Sequence, residues 1–175
     1  MRIFILLLSF VLYACGNTIF IVRHAEKASG LDMDTMKPST DPPLTLEGRE
    51  RSLSLKQKLM SRHFSHFFST NTQRTIATAS PLKEMFLGIP IELYSSRPDS
   101  LDAFIQRIQK IKKGDVLIVG HSNTVDDIVN KLAGRKLING DLEDWMYDDL
   151  FILKRKGDTY QFSIEKYGKP SVEKK

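Results

Sequence analysis

The chain contains a single cysteine, Cys15, so it cannot form an intramolecular disulfide, and a disulfide-stapled scaffold is excluded. It lacks an apolar run of the roughly 20 residues that a membrane-spanning helix needs. Its Lys and Arg residues are scattered and form no basic stripe with interleaved aromatic residues, which gives no support to nucleic-acid binding. No set of His, Asp and Glu residues has the spacing of a metal site, and no internal repeat is present. The sequence therefore predicts a globular protein without a metal.

Composition and length set the size of the fold. The chain has 175 residues, of which 41% are hydrophobic, so it can build the core of one domain and is not a disordered chain. The formal charge at pH 7 is +5. A mildly positive surface favours small anionic ligands over neutral or cationic ones.

The amino-terminal segment has the composition of a secretory signal peptide. A positive start, Met1-Arg2, precedes residues 3–14, which are apolar apart from Ser9. The sequence Leu12-Tyr13-Ala14-Cys15 resembles the lipobox of bacterial lipoproteins. That resemblance implies cleavage before Cys15 and a lipid on this cysteine. A buried first strand with a free core cysteine and an uncleaved anchor are the two alternatives.

This resemblance also sets the expected organisation and location. Residues 1–14 are the signal peptide, residues 15–18 a short tether, residues 19–168 the folded domain and residues 169–175 a charged tail. The expected location is the cell envelope, either periplasmic or surface-exposed, with the membrane bound through the lipid. The three residues between the lipidated cysteine and the domain reach about 10 Å, so the domain is expected to lie close to that membrane.

Two short, uniformly apolar runs predict strands that are buried on both faces. Residues 19–22 lead into Arg23-His24, and residues 116–119 lead into Gly120-His121. Strand patterns alternate with helix patterns along the chain, and a terminal hairpin follows. The predicted fold class is α/β, a three-layer α/β/α sandwich with a mostly parallel central sheet.

A third cation falls in an equivalent position. Arg74 lies one turn into the helix that follows a strand ending at Ser69-Thr70. Because the carboxyl ends of parallel strands meet at one edge of a sheet, we expect Arg23, Arg74 and the two histidines to form an anion pocket. Guanidinium groups match phosphate oxygens in pairs, and the helix start at Ser122-Asn123 adds main-chain N–H donors.

These motifs resemble those of the histidine phosphatase superfamily, also called the phosphoglycerate mutase-like family. They occur in the family's order and cover nearly all of residues 19–155. The matching elements are Arg23-His24-Ala25-Glu26, Leu44-Thr45-Leu46-Glu47-Gly48, Ser69 with Arg74-Thr75 and Thr78-Ala79, and Gly120-His121-Ser122. The resemblance implies the phosphoglycerate mutase-like fold.

The resemblance also implies a mechanism without a cofactor. His24 attacks phosphorus, and a neutral imidazole is a competent nucleophile near pH 7. Arg23, Arg74 and His121 hold the phosphoryl oxygens, with Ser122 and Asn123 beside them. Water then hydrolyses the phosphohistidine. The expected substrate is a small phosphorylated molecule.

Two acidic positions complete the predicted site. The general acid is Asp99, with Asp102 or no acid at all as the alternatives, because the family often has a carboxylate just after its third strand. Glu26 is expected to contribute to substrate binding by orienting Arg23 or a water molecule.

Among family members, the compact body resembles the small branch of phosphohistidine phosphatases. The spacings between motifs leave no room for a capping subdomain, and a mutase must keep water from its phosphorylated intermediate. The sequence therefore predicts a phosphatase that acts on a phosphomonoester or phosphoramidate. The alternatives are a catalytically inactive, membrane-tethered module that binds an anion and, less favoured, a phosphomutase.

Overall fold

The structure, a computed structural model, describes residues 16–29 and 39–173. The lipobox-like segment with Cys15 lies outside the described residues, as does most of the loop after His24. Six strands form one sheet, in the order β3-β2-β4-β1-β5-β6. The strands are β1 (Thr18–Arg23), β2 (Phe64–Ser69), β3 (Ile91–Leu93), β4 (Asp115–Gly120), β5 (Asp149–Lys156) and β6 (Thr159–Lys166).

Four helices cover the sheet, two on each face. They are α1 (Leu46–Leu59), α2 (Gln73–Lys83), α3 (Pro98–Lys110) and α4 (Ser122–Ala133). One hydrophobic cluster joins α1 and α2 to one face of the sheet, and a second cluster joins α3 and α4 to the other face. The predicted three-layer α/β/α architecture is confirmed. None of the helices in the described part of the chain is long and apolar enough to cross a membrane.

The sheet has a parallel half and an antiparallel half. β1 to β4 pair in parallel, whereas β5 pairs antiparallel with both β1 and β6. Every residue of β1 and of β4 is buried, as the uniformly apolar runs predict for strands in the middle of a covered sheet. Arg23 pairs with Gly120 at the ends of these strands, so the residues that follow them emerge side by side.

The start of α3 differs from the sequence prediction. The helix expected over residues 101–111 starts at Pro98, because a proline at the first helical position costs no hydrogen bond and has a suitable φ. Asp99, expected in a turn, is therefore in the first turn of α3. The third strand is short and lies at the edge of the sheet, as Pro90 predicts.

The segment just before β1 is part of the folded domain. Asn17, which we placed in a tether, is 2% exposed, and its Oδ1 accepts a hydrogen bond from Nε of Arg155 at 2.8 Å. The main-chain N–H of Thr18 donates to the carboxylate of Asp115 at 2.9 Å. These buried polar contacts extend the domain to residue 17.

Candidate active site

Two imidazoles meet at the carboxyl end of the parallel strands. His24 follows β1 and His121 follows β4, and the main-chain N–H of His24 donates to the carbonyl oxygen of Gly120 at 2.9 Å. The two ring centroids lie 5.4 Å apart in an edge-to-face arrangement. The strand pairing thus brings together two histidines that are almost 100 positions apart in the sequence.

The hydrogen bonding of His24 determines which of its nitrogens can attack. Nδ1 lies 2.7 Å from the carbonyl oxygen of Ala25, and because a carbonyl can only accept, Nδ1 carries the proton. In the neutral ring the lone pair is therefore on Nε2. The side chain is 3% exposed, so packing holds the ring in this orientation.

The surroundings keep both imidazoles neutral. Burial lowers the pKa of His24 to about 3, and the positive charges of Arg23 and Arg74 act in the same direction, while the bond to Ala25 opposes the shift. Burial and the same two guanidinium groups lower the pKa of His121 to about 4. At neutral pH both rings are uncharged, and His24 is available as a nucleophile without losing a proton first.

Arg23 is buried beneath the loop that precedes β5. Its Nη1 donates to the carbonyl oxygens of Glu143 at 2.8 Å and Met146 at 3.4 Å, and its Nη2 lies 3.4 Å from a carboxylate oxygen of Asp144. Within the described residues its buried Nε has no acceptor. A buried donor without a partner is costly in a folded protein, so this Nε–H is a candidate donor to a ligand oxygen.

Arg74, in the first turn of α2, is positioned by Asp41, which lies in the loop before α1. Its Nη1 donates to Asp41 at 3.1 Å, and both oxygens of that carboxylate accept from the main-chain N–H of Gln73 at 3.0 Å. Nε of Arg74 is also buried without an acceptor in the described part of the chain. The site therefore contains two guanidinium groups, each with a buried donor that no described protein group satisfies.

A chain of hydroxyl groups holds His121. Its Nε2 lies 2.8 Å from Oγ1 of Thr70, which donates to Oγ1 of Thr75 at 3.1 Å, and Thr75 in turn donates to the carbonyl oxygen of Thr70 at 2.9 Å. Because the Thr70 proton is used in this chain, Thr70 accepts from His121, and Nε2 is the protonated nitrogen of that ring. The neutral His121 is thus a hydrogen-bond donor.

The structure gives physical reasons for the sequence motifs. Oγ1 of Thr78 accepts from the main-chain N–H of Ala25 at 2.9 Å, which ties α2 to the segment next to His24. A Cβ on Gly48 would lie 2.3 Å from the carbonyl oxygen of Glu26, and one on Gly120 would lie 2.9 Å from the Tyr94 hydroxyl. Both glycines permit close approaches that a larger residue would block.

Glu26 forms an ion pair with Arg51, and its part in substrate binding stays a prediction. Its carboxylate accepts two hydrogen bonds from Nε of Arg51, at 2.8 and 2.9 Å, and a third from Nη2 at 2.6 Å. No contact joins it to Arg23 among the described residues. Arg51 is 5% exposed, and a buried guanidinium needs a carboxylate partner, which is why Glu26 is engaged there.

The two candidate acids lie on α3, and neither contacts the histidines. Asp99 is exposed, and its Oδ1 accepts from the hydroxyl of Ser100 at 3.2 Å. Asp102 forms an ion pair with Lys131 at 2.7 Å and has a 71% exposed side chain. The role of Asp99 stays a prediction, and the carboxylate of Asp102 is occupied by its ion pair with Lys131.

The predicted residues after His121 begin α4. His121 is the N-cap residue, Ser122 is the first helical residue, and Asn123 has non-helical φ and ψ angles of −93° and 15°. Ser122 is half-buried, and its carbonyl oxygen accepts from the main-chain N–H of Leu142. The helix start therefore lies next to both His121 and the loop before β5.

Sequence reasoning missed Tyr147 and Asp41. The Tyr147 ring lies 4.3 Å from Cζ of Arg23 and 6.1 Å, centroid to centroid, from the ring of His24. Tyr147 reaches the site because β5 pairs with β1, and no local pattern states which edge a terminal hairpin will join. An acidic residue is favoured near the start of a helix, which is the property that could have pointed to Asp41. The helix that it contacts, α2, begins 32 residues later in the sequence, so no local pattern connects the two.

The described residues contain no group of three or more His, Cys, Asp or Glu side chains that could hold a metal ion. The polar groups that face the site are guanidinium, imidazole and hydroxyl groups. The first two donate hydrogen bonds to an oxyanion, which is the chemistry of a phosphate site.

The comparisons with known proteins agree with this chemistry. Residues 19–96 match the sequence profile of the histidine phosphatase superfamily (branch 1). This segment contains His24, Arg23 and Arg74, whereas His121 lies beyond it. The match supports the enzyme class that the motifs predict, a phosphatase. No curated protein sequence matches the chain significantly.

Solved structures show the same fold at low sequence identity. YhfR of Bacillus stearothermophilus is 16% identical, with a TM-score of 0.62, and the match covers 85% of this chain and 96% of that protein. A protein of Agrobacterium tumefaciens assigned as the phosphohistidine phosphatase SixA is 17% identical, with a TM-score of 0.62, and covers 89% and 99%. A protein of Escherichia coli K-12 assigned as an alpha-ribazole-5'-P phosphatase is 12% identical, with a TM-score of 0.60, and covers 91% and 100%. The phosphoglycerate mutase-like fold is thereby confirmed.

Proposed function

We propose that the protein is a phosphatase that hydrolyses a phosphomonoester or phosphoramidate through a phosphohistidine on His24. The observation that carries this proposal is the state of His24: a buried, neutral ring whose Nδ1 donates to Ala25 and whose Nε2 therefore has the lone pair. The match of residues 19–96 to the histidine phosphatase superfamily supports it independently. The nearby guanidinium groups provide the charge that a phosphoryl group needs.

The proposed reaction has two steps. Nε2 of His24 attacks phosphorus, a P–N bond forms, the bond to the leaving group breaks, and the leaving oxygen or nitrogen takes up a proton. Water then attacks the same phosphorus, the P–N bond breaks, and inorganic phosphate leaves while water loses a proton. Arg23 and Arg74 stabilise the equatorial oxygens in both steps, and His121 joins them when its Nε2–H turns from the Thr70 hydroxyl to a phosphoryl oxygen.

The structure gives the fewest contacts for the residue that donates a proton to the leaving group. Asp99 is the proposed donor for an alcohol leaving group. Phosphoramidates and aryl phosphates have better leaving groups and need less assistance from an acid. The proposal therefore includes substrates of both kinds.

Two alternatives remain from the sequence. An inactive module that binds an anion would need the guanidinium groups but would not need a fixed tautomer at His24, so the geometry favours the enzyme. A phosphomutase would need a cover that excludes water from the phosphohistidine. The described elements between His24 and Arg74 are α1 and β2, and these belong to the sandwich itself.

The direct test is phosphate release from p-nitrophenyl phosphate by residues 16–175 in the presence of EDTA. We expect turnover that EDTA does not reduce and that His24→Ala abolishes, because the alanine has no nucleophile. His63→Ala is the matched control, since His63 is exposed and outside the site, and it should retain the activity.

Two further measurements on the same purified protein distinguish the phosphatase from the inactive module. Enzyme quenched in base during turnover should contain a phosphoryl group that is stable in base and labile in acid, as expected of phosphohistidine, and His24→Ala should lack it. Tight vanadate binding without turnover would favour the inactive module. Turnover that persists in His24→Ala would contradict the assigned nucleophile.

We also propose that the domain is held at a membrane of the cell envelope by a lipid on Cys15. The motif at residues 12–15 supports this proposal, although it lies outside the described residues. β1 rises about 3.3 Å per residue, so its six residues separate Asn17 from His24 by about 20 Å. The lipid and the active site would then lie at opposite ends of the sheet, and the site would open away from the membrane.

Metabolic labelling with a fatty acid tests the tether. The full chain should incorporate the label and partition with detergent, and Cys15→Ser should do neither, because Cys15 is the single cysteine. A wild-type chain without label would leave an uncleaved anchor or a buried cysteine as the explanation, and the mass of the purified protein would distinguish these two.

A further inference from the structure

A cavity of ≈ 690 Å³ lies beside the phosphoryl site and has no part in the mechanism described above. Its walls come from four segments: the residues after His24, the start of α1, the loop of residues 141–148 and the carboxyl-terminal residues 169–173. Cavities of this size bind small molecules in many proteins. The cavity is therefore large enough for an organic group in addition to the phosphoryl group at His24.

Tyr147 is the boundary between the cavity and the nucleophile. One part of this side chain lines the cavity, and its ring lies 6.1 Å from His24 and 4.3 Å from Cζ of Arg23. The neighbouring loop residue Glu143 lines the cavity, and its carbonyl oxygen accepts a hydrogen bond from Arg23. A substrate that is attacked at phosphorus by His24 can therefore place its leaving group in the cavity.

The cavity has the opposite charge to the phosphoryl site. Three of its six carboxylates are paired: Glu26 with Arg51, Glu50 with Lys169 and Asp144 with Arg23. Three others, Glu47, Glu143 and Glu173, have no ion-pair partner among the described residues, and one wall cation, Lys27, is likewise without one. Negative charge is thus in excess on the cavity walls, a few ångströms from a site rich in guanidinium groups.

Aromatic side chains add a second preference for a cation. The cavity is lined by the indole of Trp145 and the phenol ring of Tyr147. The faces of aromatic rings attract ammonium groups, and methylated ammonium groups in particular. Carboxylates together with an indole favour an organic cation over a neutral or anionic group of the same size.

We propose that this cavity binds the positively charged leaving group of a zwitterionic phosphomonoester, an amino alcohol that is phosphorylated on oxygen. The phosphate lies at His24 between Arg23 and Arg74, and the ammonium end lies past Tyr147 against Trp145 and the unpaired carboxylates. The inference rests on the proposed phosphatase function and adds a substrate class to it.

Trp145 makes the binding step directly observable, because it is the single tryptophan of the chain. Choline is the probe, and 3,3-dimethylbutan-1-ol, which has the same shape without the charge, is its control. We expect choline to change the Trp145 fluorescence in a saturable manner and the neutral alcohol to bind at least ten-fold more weakly. Equal binding of the two, or no binding of choline, would overturn the proposal.

Variants connect the response to the cavity carboxylates. Glu47→Gln combined with Glu143→Gln should weaken choline binding at least ten-fold, because two of the three unpaired negative charges are removed. Glu84→Gln is the matched control: Glu84 is exposed at the end of α2, outside the cavity, and should leave the titration unchanged. An undiminished response in the double variant would assign the effect to another part of the surface and contradict the proposal.

Kinetics separate this inference from the function on which it rests. Phosphocholine should have a kcat/KM at least ten-fold above that of 3,3-dimethylbutyl phosphate, and the double variant should reduce this ratio. If p-nitrophenyl phosphate is hydrolysed in a His24-dependent reaction but the ratio is near one, the cavity assignment fails and the phosphatase stands. If choline binds and no phosphate ester is hydrolysed, the proposed function fails while the cation site stands.

Discussion

At the scale of single residues, His24 couples the chemistry of the site to the stability of the fold. Burial lowers the pKa of His24 to about 3 and that of His121 to about 4, from an unperturbed value of 6.5. Between these values the unfolded chain binds protons that the folded chain excludes. Stability therefore rises with pH through this window and is lost as the pH falls from 6.5 towards 3.

This linkage predicts a difference between two variants. Each histidine should contribute at most about 1.4 kcal/mol to the free energy of unfolding per pH unit in this window, and His121 contributes less than His24 near pH 4, which is close to its own folded pKa. Urea unfolding across this range should show a shallower pH dependence in His24→Gln than in the wild type, by about that slope. His63→Gln should match the wild type because His63 is exposed. Parallel curves for His24→Gln and the wild type would contradict the buried neutral state.

Tyr147 is the second residue whose role can be isolated. Its ring contacts the guanidinium of Arg23, and a cation–π contact contributes roughly 0.5–2 kcal/mol. Tyr147→Ala should therefore reduce kcat/KM for p-nitrophenyl phosphate by roughly 2- to 30-fold. Tyr147→Phe retains the ring and should lose much less activity. A loss in Tyr147→Phe as large as in Tyr147→Ala would show that the hydroxyl group, and not the ring, is required.

At the scale of elements, α1 is fixed by the close approach of its first turn to the segment after β1. The main-chain N–H of Thr45 donates to the carbonyl oxygen of Glu26 at 2.9 Å, and Gly48 packs against the same carbonyl. This contact determines where α1 begins relative to the nucleophile.

Gly48→Ala tests the contact, because two effects of opposite sign compete. Alanine in a helix is favoured over glycine by about 1 kcal/mol. The new Cβ would lie 2.3 Å from a main-chain oxygen, and overpacking of this kind costs typically 1–3 kcal/mol. We expect net destabilisation in urea unfolding, with Gln57→Ala, at an exposed position of the same helix, as the control. A more stable Gly48→Ala variant would mean that α1 can shift freely.

The elements also show how much of the fold can be predicted from the sequence alone. The parallel half of the sheet could be predicted, because β1 and β4 are uniformly apolar and each ends in a histidine. The pairing of the terminal hairpin with β1 could not, since it depends on which sheet edge is open after the other strands have assembled. The position of Tyr147 and the engagement of Glu26 by Arg51 follow from that assembly, and neither was predicted.

At the scale of the whole molecule, the carboxyl-terminal residues close the structure on the side of the active site. Nη1 of Arg51 donates to the carbonyl oxygen of Lys169 at 2.9 Å. The hydroxyl of Ser171 accepts from the main-chain N–H of Tyr147 at 3.0 Å, and its main-chain N–H donates to Asp148 at 3.1 Å. The segment predicted as a charged tail is therefore bound to the domain over its described residues.

Removing residues 169–175 should thus affect the site from a distance. Four hydrogen bonds are lost, of which one is the exposed ion pair between Lys169 and Glu50. The other three have a net contribution of about 0.5–1.5 kcal/mol each, so the free energy of unfolding should fall by about 1.5–4.5 kcal/mol. One cavity wall is lost as well, and the emission of Trp145 should shift to longer wavelength. A truncation that removes residues 174 and 175 alone is the control. Unchanged stability and emission in the longer truncation would contradict a stabilising role for the carboxyl-terminal residues.

The central position of β1 has a consequence for the order in which the protein is made. Its ladder partners, β4 and β5, are about 100 and 130 residues further along the chain. Contacts so distant in sequence form late and slow the folding reaction. During synthesis, β1 therefore remains without these partners until nearly the whole chain has been made. The pairing of Arg23 with Gly120, and with it the arrangement of His24 beside His121, is then among the last parts of the structure to form.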